Sequence, residues 1–201
     1  GEKVKVTCTK SNEGFATAGG VQYVACAGNF KDAGLEYTGA LKVLQMIFSY
    51  EYLWIQIRVK GGAYGCMCSF SDQGDSMFVT YRDPNLSESY KVYDEAADYV
   101  ADFDADDRDM KKYIIGTIGS MDMPMEAVDM GARSFHAYFL GKTEADLQKV
   151  RDQVLSCTQE DIRALAPIVK AVVEAGNRCC IGNEEKIDQN KEYFDEVKHV
   201  L

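Results

Sequence analysis

The chain has 201 residues, 46% of them hydrophobic, a length and composition that fit one domain with a sizeable core. Its 22 lysines and arginines stand against 32 aspartates and glutamates, which gives a formal net charge of −10. Nucleic acids and anionic membrane surfaces are bound by basic surfaces, so this charge argues against both kinds of partner.

The N-terminal quarter predicts two strands and a helix. Residues 3–8 alternate polar and apolar side chains, which is typical of a strand, and residues 21–27 show a second strand-like run. Thr38 is a suitable N-cap for a long helix that follows. Apolar residues with helical spacing in that helix are Leu41, Leu44, Ile47, Phe48 and Trp54.

A hairpin and a helix start are predicted next. Residues 65–71 and 76–81 read as two antiparallel strands around the turn at 72–75. Asp83 followed by Pro84 predicts a helix with Asp83 as N-cap and Pro84 as its first residue. The expected buried face of the helical segment comprises Leu86, Tyr90, Tyr93, Ala97, Val100 and Phe103.

The second half of the chain predicts mostly helices. One helix should open at Asp104 and another should cover residues 124–140. Thr143 and Thr158 each stand three residues before an aspartate, a loose form of the capping box. Pro167 should kink or divide the helix that begins after Thr158.

Residues 178–181 predict a short final strand, and a charged helix should close the chain. The order of elements predicts an α+β fold, in which several helices pack on one face of a mainly antiparallel sheet. There is no long linker, low-complexity run or internal repeat, so we predict a single domain over residues 1–201.

The cysteines and histidines offer no metal-binding pattern. The seven cysteines include no Cys-x-x-Cys pair, and we expect them to be reduced and mostly buried, as in the cytoplasm or another reducing compartment. The two histidines, His136 and His199, lack the spacing of a ligand pair. We expect His136 to be a partly buried residue of a helix. No run of ~18 apolar residues suggests a membrane span.

The most distinctive segment covers residues 55–65, where Gly61, Gly62 and Gly65 surround Arg58 and Tyr64. Glycine permits positive φ and close approach to a ligand, while arginine and tyrosine supply hydrogen-bond donors. The pattern alone leaves two interpretations open. The segment is either a ligand-contacting loop or an ordinary helix end, in which Arg58 pairs with a carboxylate of its own domain and Tyr64 packs on the sheet.

This segment, read with residues 71–72, 78–86 and 112–119, resembles the C-terminal part of the presequence protease subgroup of the pitrilysin/insulinase zinc peptidases. The specific feature is Arg-x-x-Gly-Gly-Ala-Tyr-Gly followed by Tyr-Arg-Asp-Pro, and the resemblance covers most of the chain. It implies an insulinase-type domain, one of four similar domains whose two halves close around a peptide. It also implies that zinc is bound by a His-x-x-Glu-His motif in the first domain, and that Arg58 and Tyr64 hold the substrate over the metal.

His-x-x-Glu-His is absent from this chain, so we assign it no catalytic residue and no bound metal. We predict a noncatalytic, substrate-contacting C-terminal domain of a zinc metalloendopeptidase that degrades short unstructured peptides, inactive when isolated. Its partners would be the peptide and the N-terminal zinc-bearing half of the same protein. A scaffold subunit of a two-chain peptidase and a stand-alone peptide-binding module remain alternatives. The predicted substrate-binding residues are Arg58, Tyr64, Gly61, Gly62 and Gly65.

Overall fold

The computed structural model describes residues 1, 3–7 and 9–200. The strands of this part of the chain are β1 (Glu13–Thr17), β2 (Tyr23–Asn29), β3 (Gly65–Phe70), β4 (Asp75–Tyr81), β5 (Asn177–Asn183) and β6 (Glu196–His199). They form one sheet in the order β3-β4-β2-β5-β1-β6. The pairs from β3 to β5 are antiparallel, whereas β1 runs parallel to both β5 and β6. The predicted mainly antiparallel sheet is therefore confirmed.

The α-helices are α1 (Ala40–Tyr50), α2 (Ser87–Asp94), α3 (Ala96–Ala101), α4 (Asp107–Met121), α5 (Ala127–Phe139), α6 (Glu144–Leu155), α7 (Gln159–Arg163), α8 (Ala166–Glu174) and α9 (Glu184–Gln189). Short 3-10 helices cover Phe30–Ala33 and Lys191–Tyr193, and Trp54–Lys60 forms a π-helix. Among the described residues, no helix has both the length and the apolar character needed to cross a bilayer.

The two faces of the sheet differ in how far their side chains are buried. In β4, Phe78 is fully buried, while Met77 and Tyr81 of the same strand are 46% and 40% exposed. Because side chains alternate along a strand, the buried positions face the layer that contains α1 and α8. The predicted arrangement of helices on one face is thus confirmed, and the exposed side chains of β4 lie on the other face.

Aromatic rings fill the core between the sheet and the helices. Phe78 packs edge-on against Phe48 of α1, with 5.8 Å between ring centroids, and lies tilted against Tyr93 of α2 at 5.4 Å. The Tyr93 hydroxyl donates to the backbone oxygen of Val24 at 3.2 Å, so this buried polar atom has a partner. The core therefore ties α1 and α2 to the middle of the sheet.

The ends of the chain differ from the prediction. The strand predicted over residues 3–8 is wrong for residues 3–7, where Val4 and Val6 are exposed, and Cys8 lies outside the described residues. The first strand is β1 instead, and the strand at 178–181 is not the last, because β6 follows it. Both missed strands are short, and they depend on parallel pairing with distant parts of the chain rather than on their own alternation.

Several helix ends follow the predicted local chemistry. Thr143 and Thr158 both form capping boxes, with Asp146 and Asp161. Pro167 lies in the first turn of α8 and separates it from α7, as predicted. The N-cap of α1, however, is Gly39 rather than Thr38, and the N-cap of α4 is Asp106 rather than Asp104.

Helix α5 lies within the predicted range of 124–140, but it has no buried residue. His136 is exposed, so the expectation that it is partly buried was wrong. Apolar side chains of the same helix are also exposed, among them Phe135 at 64% and Tyr138 at 81%. The helical period was read correctly, but the burial that it normally implies is absent within the described residues.

Asp83 fixes the turn after β4 instead of capping a helix there. Its carboxylate accepts hydrogen bonds from the backbone N–H of Asn85 at 2.9 Å and from the hydroxyl of Ser89 at 2.6 Å. Helix α2 therefore begins only at Ser87. Burial raises the pKa of the Asp83 carboxyl above its ordinary value, and these hydrogen bonds oppose that rise.

The same turn is joined to the rest of the molecule on two sides. The backbones of Gln22 and Asp83 exchange two hydrogen bonds, of 2.7 and 2.8 Å, which link the turn to the residue that precedes β2. The side-chain amide of Asn85 donates to the carbonyl oxygen of Gly61 at 2.6 Å. Asp83 and Asn85 thereby position the glycine-containing segment relative to the sheet.

We predict that the thiols react slowly in the folded protein. The six described cysteines are free, and burial raises the pKa of Cys26 and Cys66 to about 11 and that of Cys157 and Cys180 to about 12. Because the thiolate is the reactive form, native alkylation near pH 8 should be slow and should accelerate as the pH rises. Thiol counting should find seven groups after unfolding, and fewer than seven under nonreducing conditions would reveal a disulfide.

We also predict that Asp83→Ala lowers the free energy of unfolding by about 1–3 kcal/mol, since the Ser89 hydroxyl and the backbone N–H of Asn85 lose their buried acceptor. Asp83→Asn is the matched control, because it removes the charge but keeps one carbonyl acceptor. The folded pKa of Asp83 lies above its ordinary 3.8, so the wild type loses stability relative to Asp83→Asn as the pH rises through that interval. Thermal unfolding from about pH 3 to about pH 7 measures both effects; a pH-independent difference would contradict the role assigned to the carboxylate.

Candidate peptide-binding surface

The residue Arg58 is carried by a π-helix, which spans Trp54–Lys60 and ends in a π-type hydrogen bond from the N–H of Gly61 to the oxygen of Gln56, at 3.0 Å. Ile57 is buried and anchors this helix, while Trp54 and Arg58 are exposed. Short π-helical segments are rare and occur frequently at functional sites. The sequence predicted a continuation of the preceding α-helix and did not reveal this change.

Two glycines turn the chain from this helix into β3. A Cβ atom on Gly61 would lie 2.5 Å from the carbonyl oxygen of Ile57, a separation that the backbone does not permit. Gly62 has φ = +82°, a left-handed conformation that glycine adopts without strain. Gly65 is different, because a Cβ there would make an ordinary contact of 3.9 Å with Tyr81.

The guanidinium of Arg58 lies close to two aromatic rings. Its central carbon is 4.2 Å from the ring centroid of Trp54 and 5.7 Å from that of Tyr64. Within the described part of the chain, no carboxylate oxygen lies within 4.0 Å of its nitrogens. The alternative in which Arg58 pairs with an acidic residue of its own domain is therefore not observed among residues 1, 3–7 and 9–200.

Tyr64 is 64% exposed and packs at the edge of the sheet. Its ring lies 5.7 Å from that of Tyr81, and its backbone N–H donates to the oxygen of Arg82 at 3.2 Å. The ring thus partly rests on the sheet, as the ordinary-loop interpretation expected, while most of the side chain faces solvent. Arg58 and Tyr64, predicted from the sequence, are neighbours in the structure.

The row of rings continues onto the open face of the sheet. Tyr81 packs edge-on against Tyr23 at 5.4 Å, and the guanidinium of Arg82 lies 5.6 Å from the Tyr81 ring centroid. We call the exposed rings of Trp54, Tyr64, Tyr81 and Tyr23 the aromatic row. Sequence reasoning missed Trp54 and Tyr23 as parts of this surface. The i, i+4 spacing of Trp54 and Arg58 was an available signal, but Tyr23 joins the row only through strand pairing.

The cations in contact with the aromatic row are arginines. Arg58 and Arg82 lie against its rings and are exposed, although the net charge of the protein is −10. The charge of Arg58 also acts on the first residues of β3, where it partly offsets the rise that burial causes in the pKa of Cys66. The surface can therefore attract carbonyl or carboxylate oxygens.

This surface is open rather than enclosed. The structure does contain a groove of about 380 Å³ between α1 and α4, which Lys42, Met46 and Thr117 help to line, but no residue of the aromatic row borders it. Among the described residues, no three His, Cys, Asp or Glu side chains are placed so that they could hold a metal ion. The residues present thus do not fit a zinc site.

Comparisons with known proteins identify the family. The family model described as the PreP C-terminal domain matches residues 12–183. Protein HypA of Clostridium perfringens is 43% identical over 192 residues, covering 96% of this chain and 20% of that protein. Presequence protease 1, chloroplastic/mitochondrial, of Arabidopsis thaliana is 34% identical over 194 residues, covering 94% of this chain and 18% of that protein.

Solved structures show the same fold. The crystal structure of pitrilysin superposes with a TM-score of 0.54 at 12% identity, covering 88% of this chain and 20% of that chain. The present chain spans about one fifth of the length of the curated relatives named above. The match to the family model over most of its length confirms the resemblance recognised in the sequence: the chain belongs to the PreP C-terminal domain family.

Proposed function

We propose that this chain is the C-terminal, substrate-contacting domain of a zinc metalloendopeptidase that degrades short unstructured peptides, and that Arg58 and Tyr64 hold the peptide. The observation that carries this proposal is that the guanidinium of Arg58 is oriented but not paired with an acidic residue among the described residues. Its guanidinium is exposed and oriented by Trp54 and Tyr64, and it has no carboxylate partner within 4.0 Å among the described residues. Such an arginine is available to a ligand.

The two side chains have suitable chemistry for peptide hydrolysis. Negative charge develops on the scissile carbonyl oxygen in the transition state, and a donor that is already oriented stabilises that charge without reorganisation. Stacking on Trp54 restricts the Arg58 guanidinium, and its fork of N–H groups can donate to that oxygen or to a neighbouring carbonyl. The Tyr64 hydroxyl supplies a further donor.

Gly61 and Gly62 contribute through the backbone. They create the tight turn that places Arg58 at the end of a helix and Tyr64 at the start of a strand. Gly65, at the first position of β3, keeps the surface beside Tyr81 free of a side chain. We include it in the proposed substrate-binding set because a peptide backbone could approach there closely.

The remainder of a longer protein would supply the zinc and the catalytic groups. Two observations support this part of the proposal: the relatives are about five times as long as this chain, and the described residues offer no metal site. The uncovered apolar side chains of α5, including Phe135 and Tyr138, also favour contact with further protein. The free, largely buried cysteines are consistent with a reducing compartment.

In the full-length protein, Arg58→Ala and Tyr64→Phe should each lower kcat/KM, by on the order of 10²–10³ if the lost donor serves the developing oxyanion. Loss of kcat would indicate that role, whereas a higher KM with unchanged kcat would indicate general peptide binding. Arg108→Ala, an exposed arginine of α4, is the matched control. Wild-type kinetics in both variants would disprove the proposal. A large fall in the melting temperature of Arg58→Ala would instead assign that residue a structural role.

The isolated chain should bind no stoichiometric zinc and hydrolyse no peptide, because it lacks a zinc motif. Metal analysis of the purified chain after dialysis against a zinc-containing buffer, combined with a peptide-cleavage assay, tests this. About one tightly held zinc per chain together with chelator-sensitive cleavage would contradict the proposal that the zinc and the catalytic groups lie in the remainder of a longer protein.

A further inference from the structure

We propose that Arg82 is a second substrate-binding residue, whose guanidinium binds a carboxylate of the peptide beside the Arg58–Tyr64 pair. This inference rests on the proposed function and extends it to substrate selection. The carboxylate has two possible sources, the C-terminus of the peptide and an aspartate or glutamate side chain. Both present the same pair of oxygens, which the fork of an arginine matches with two parallel hydrogen bonds.

The backbone of Arg82 is the first argument. Its φ is +49°, and among the described residues it alone combines a positive φ with a side chain other than that of glycine. Such conformations are strained for residues other than glycine, and they cluster at ligand-binding sites. Glycine would adopt this conformation without strain, so the presence of an arginine points to a use for its side chain.

The strained conformation is held from both sides. Tyr81 belongs to β4, and the neighbouring Asp83 exchanges two backbone hydrogen bonds with Gln22. The carbonyl oxygen of Arg82 itself accepts a hydrogen bond from the N–H of Tyr64, at 3.2 Å. The backbone of Arg82 is thus fixed directly to a residue of the proposed peptide-binding pair, while its side chain remains exposed.

The side chain of Arg82 contrasts with an arginine that has a structural role. Arg178 also stacks on tyrosines, at 4.9 Å from the Tyr90 ring, but it forms an ion pair with Asp94 at 2.8 Å. Arg82 stacks on Tyr81 at 5.6 Å and, within the described part of the chain, has no carboxylate within 4.0 Å. In a chain with 32 acidic residues, an arginine that is oriented but not paired is available for an anion from outside.

The surroundings suit the peptide that would carry this carboxylate. Tyr81 and Tyr23 pack edge to face beside Arg82, and Ile181 lies opposite Tyr23 on the next strand. These side chains are 39–46% exposed and form an apolar floor on the open face of the sheet. An extended peptide held by Arg58 could therefore place an apolar side chain on this floor and a carboxylate at Arg82.

The test uses the full-length protein and a fluorogenic peptide with a free C-terminus and one internal glutamate. Arg82→Gly removes the guanidinium and relieves the strain of the positive φ. We expect it to raise KM by on the order of 10- to 100-fold, which corresponds to the loss of a hydrogen bond between charged groups. The melting temperature should stay the same or rise. Arg82→Lys should restore part of the affinity, and Arg108→Ala should match the wild type.

Two modified peptides identify the source of the carboxylate. If the C-terminus is bound, amidation raises the wild-type KM and abolishes the difference between wild type and Arg82→Gly. If the side chain is bound, replacing the internal glutamate by glutamine does so. An equal effect of Arg82→Gly on a peptide that lacks both carboxylates would overturn the inference.

The same assay separates the two proposals. Wild-type KM in Arg82→Gly for every peptide, with Arg58→Ala and Tyr64→Phe still impaired, would overturn the role of Arg82 alone. Wild-type behaviour of all three variants would overturn the proposed function as well.

Discussion

The two backbone hydrogen bonds between Gln22 and Asp83 are the constraint on which the proposed surface depends. They join the start of β2 to the turn after β4, and the buried carboxylate of Asp83 extends this link to α2 through Ser89. Asn85 then extends it to Gly61. Three segments that are distant in the sequence are thereby held in one place, and each contributes an exposed aromatic or cationic side chain. Burying an acidic residue costs desolvation free energy even when it is fully hydrogen-bonded. Here the buried Asp83 also fixes the relative positions of these segments.

The stacking of arginines on aromatic rings explains how an acidic protein can present exposed, oriented arginines. Long exposed arginines normally lose considerable conformational entropy when they bind a ligand. The rings of Trp54 and Tyr81 already restrict Arg58 and Arg82 before any ligand is present. Stacking leaves the N–H groups at the edge of the guanidinium free, whereas an ion pair would occupy them. The geometry therefore orients both arginines without neutralising them.

Many features that depend on neighbouring residues were predictable from the sequence, although the helix start at Asp83 and the π-helix were not. Features that depend on distant pairing were harder to predict. The hairpin of β3 and β4, the capping boxes at Thr143 and Thr158 and the break at Pro167 all follow local rules. Strands β1 and β6 did not, because their pairing joins opposite ends of the chain. Similarly, Arg58 and Tyr64 lie in one glycine-rich segment and could be recognised. Tyr23 approaches Tyr81 only when the sheet forms.

The π-helix has a consequence for how this segment tolerates changes in length. A π-helical turn holds one residue more than an α-helical turn, so it can be regarded as an α-helix that has absorbed an insertion. Deletion of one residue from Trp54–Lys60 could be accommodated by a return to α-helical geometry, with Leu53 and Gly61 kept near their present places. The helix would then be wound differently, so the directions of the Trp54 and Arg58 side chains relative to the buried Ile57 would change. A chain shortened here could retain its fold while its guanidinium points away from the aromatic row.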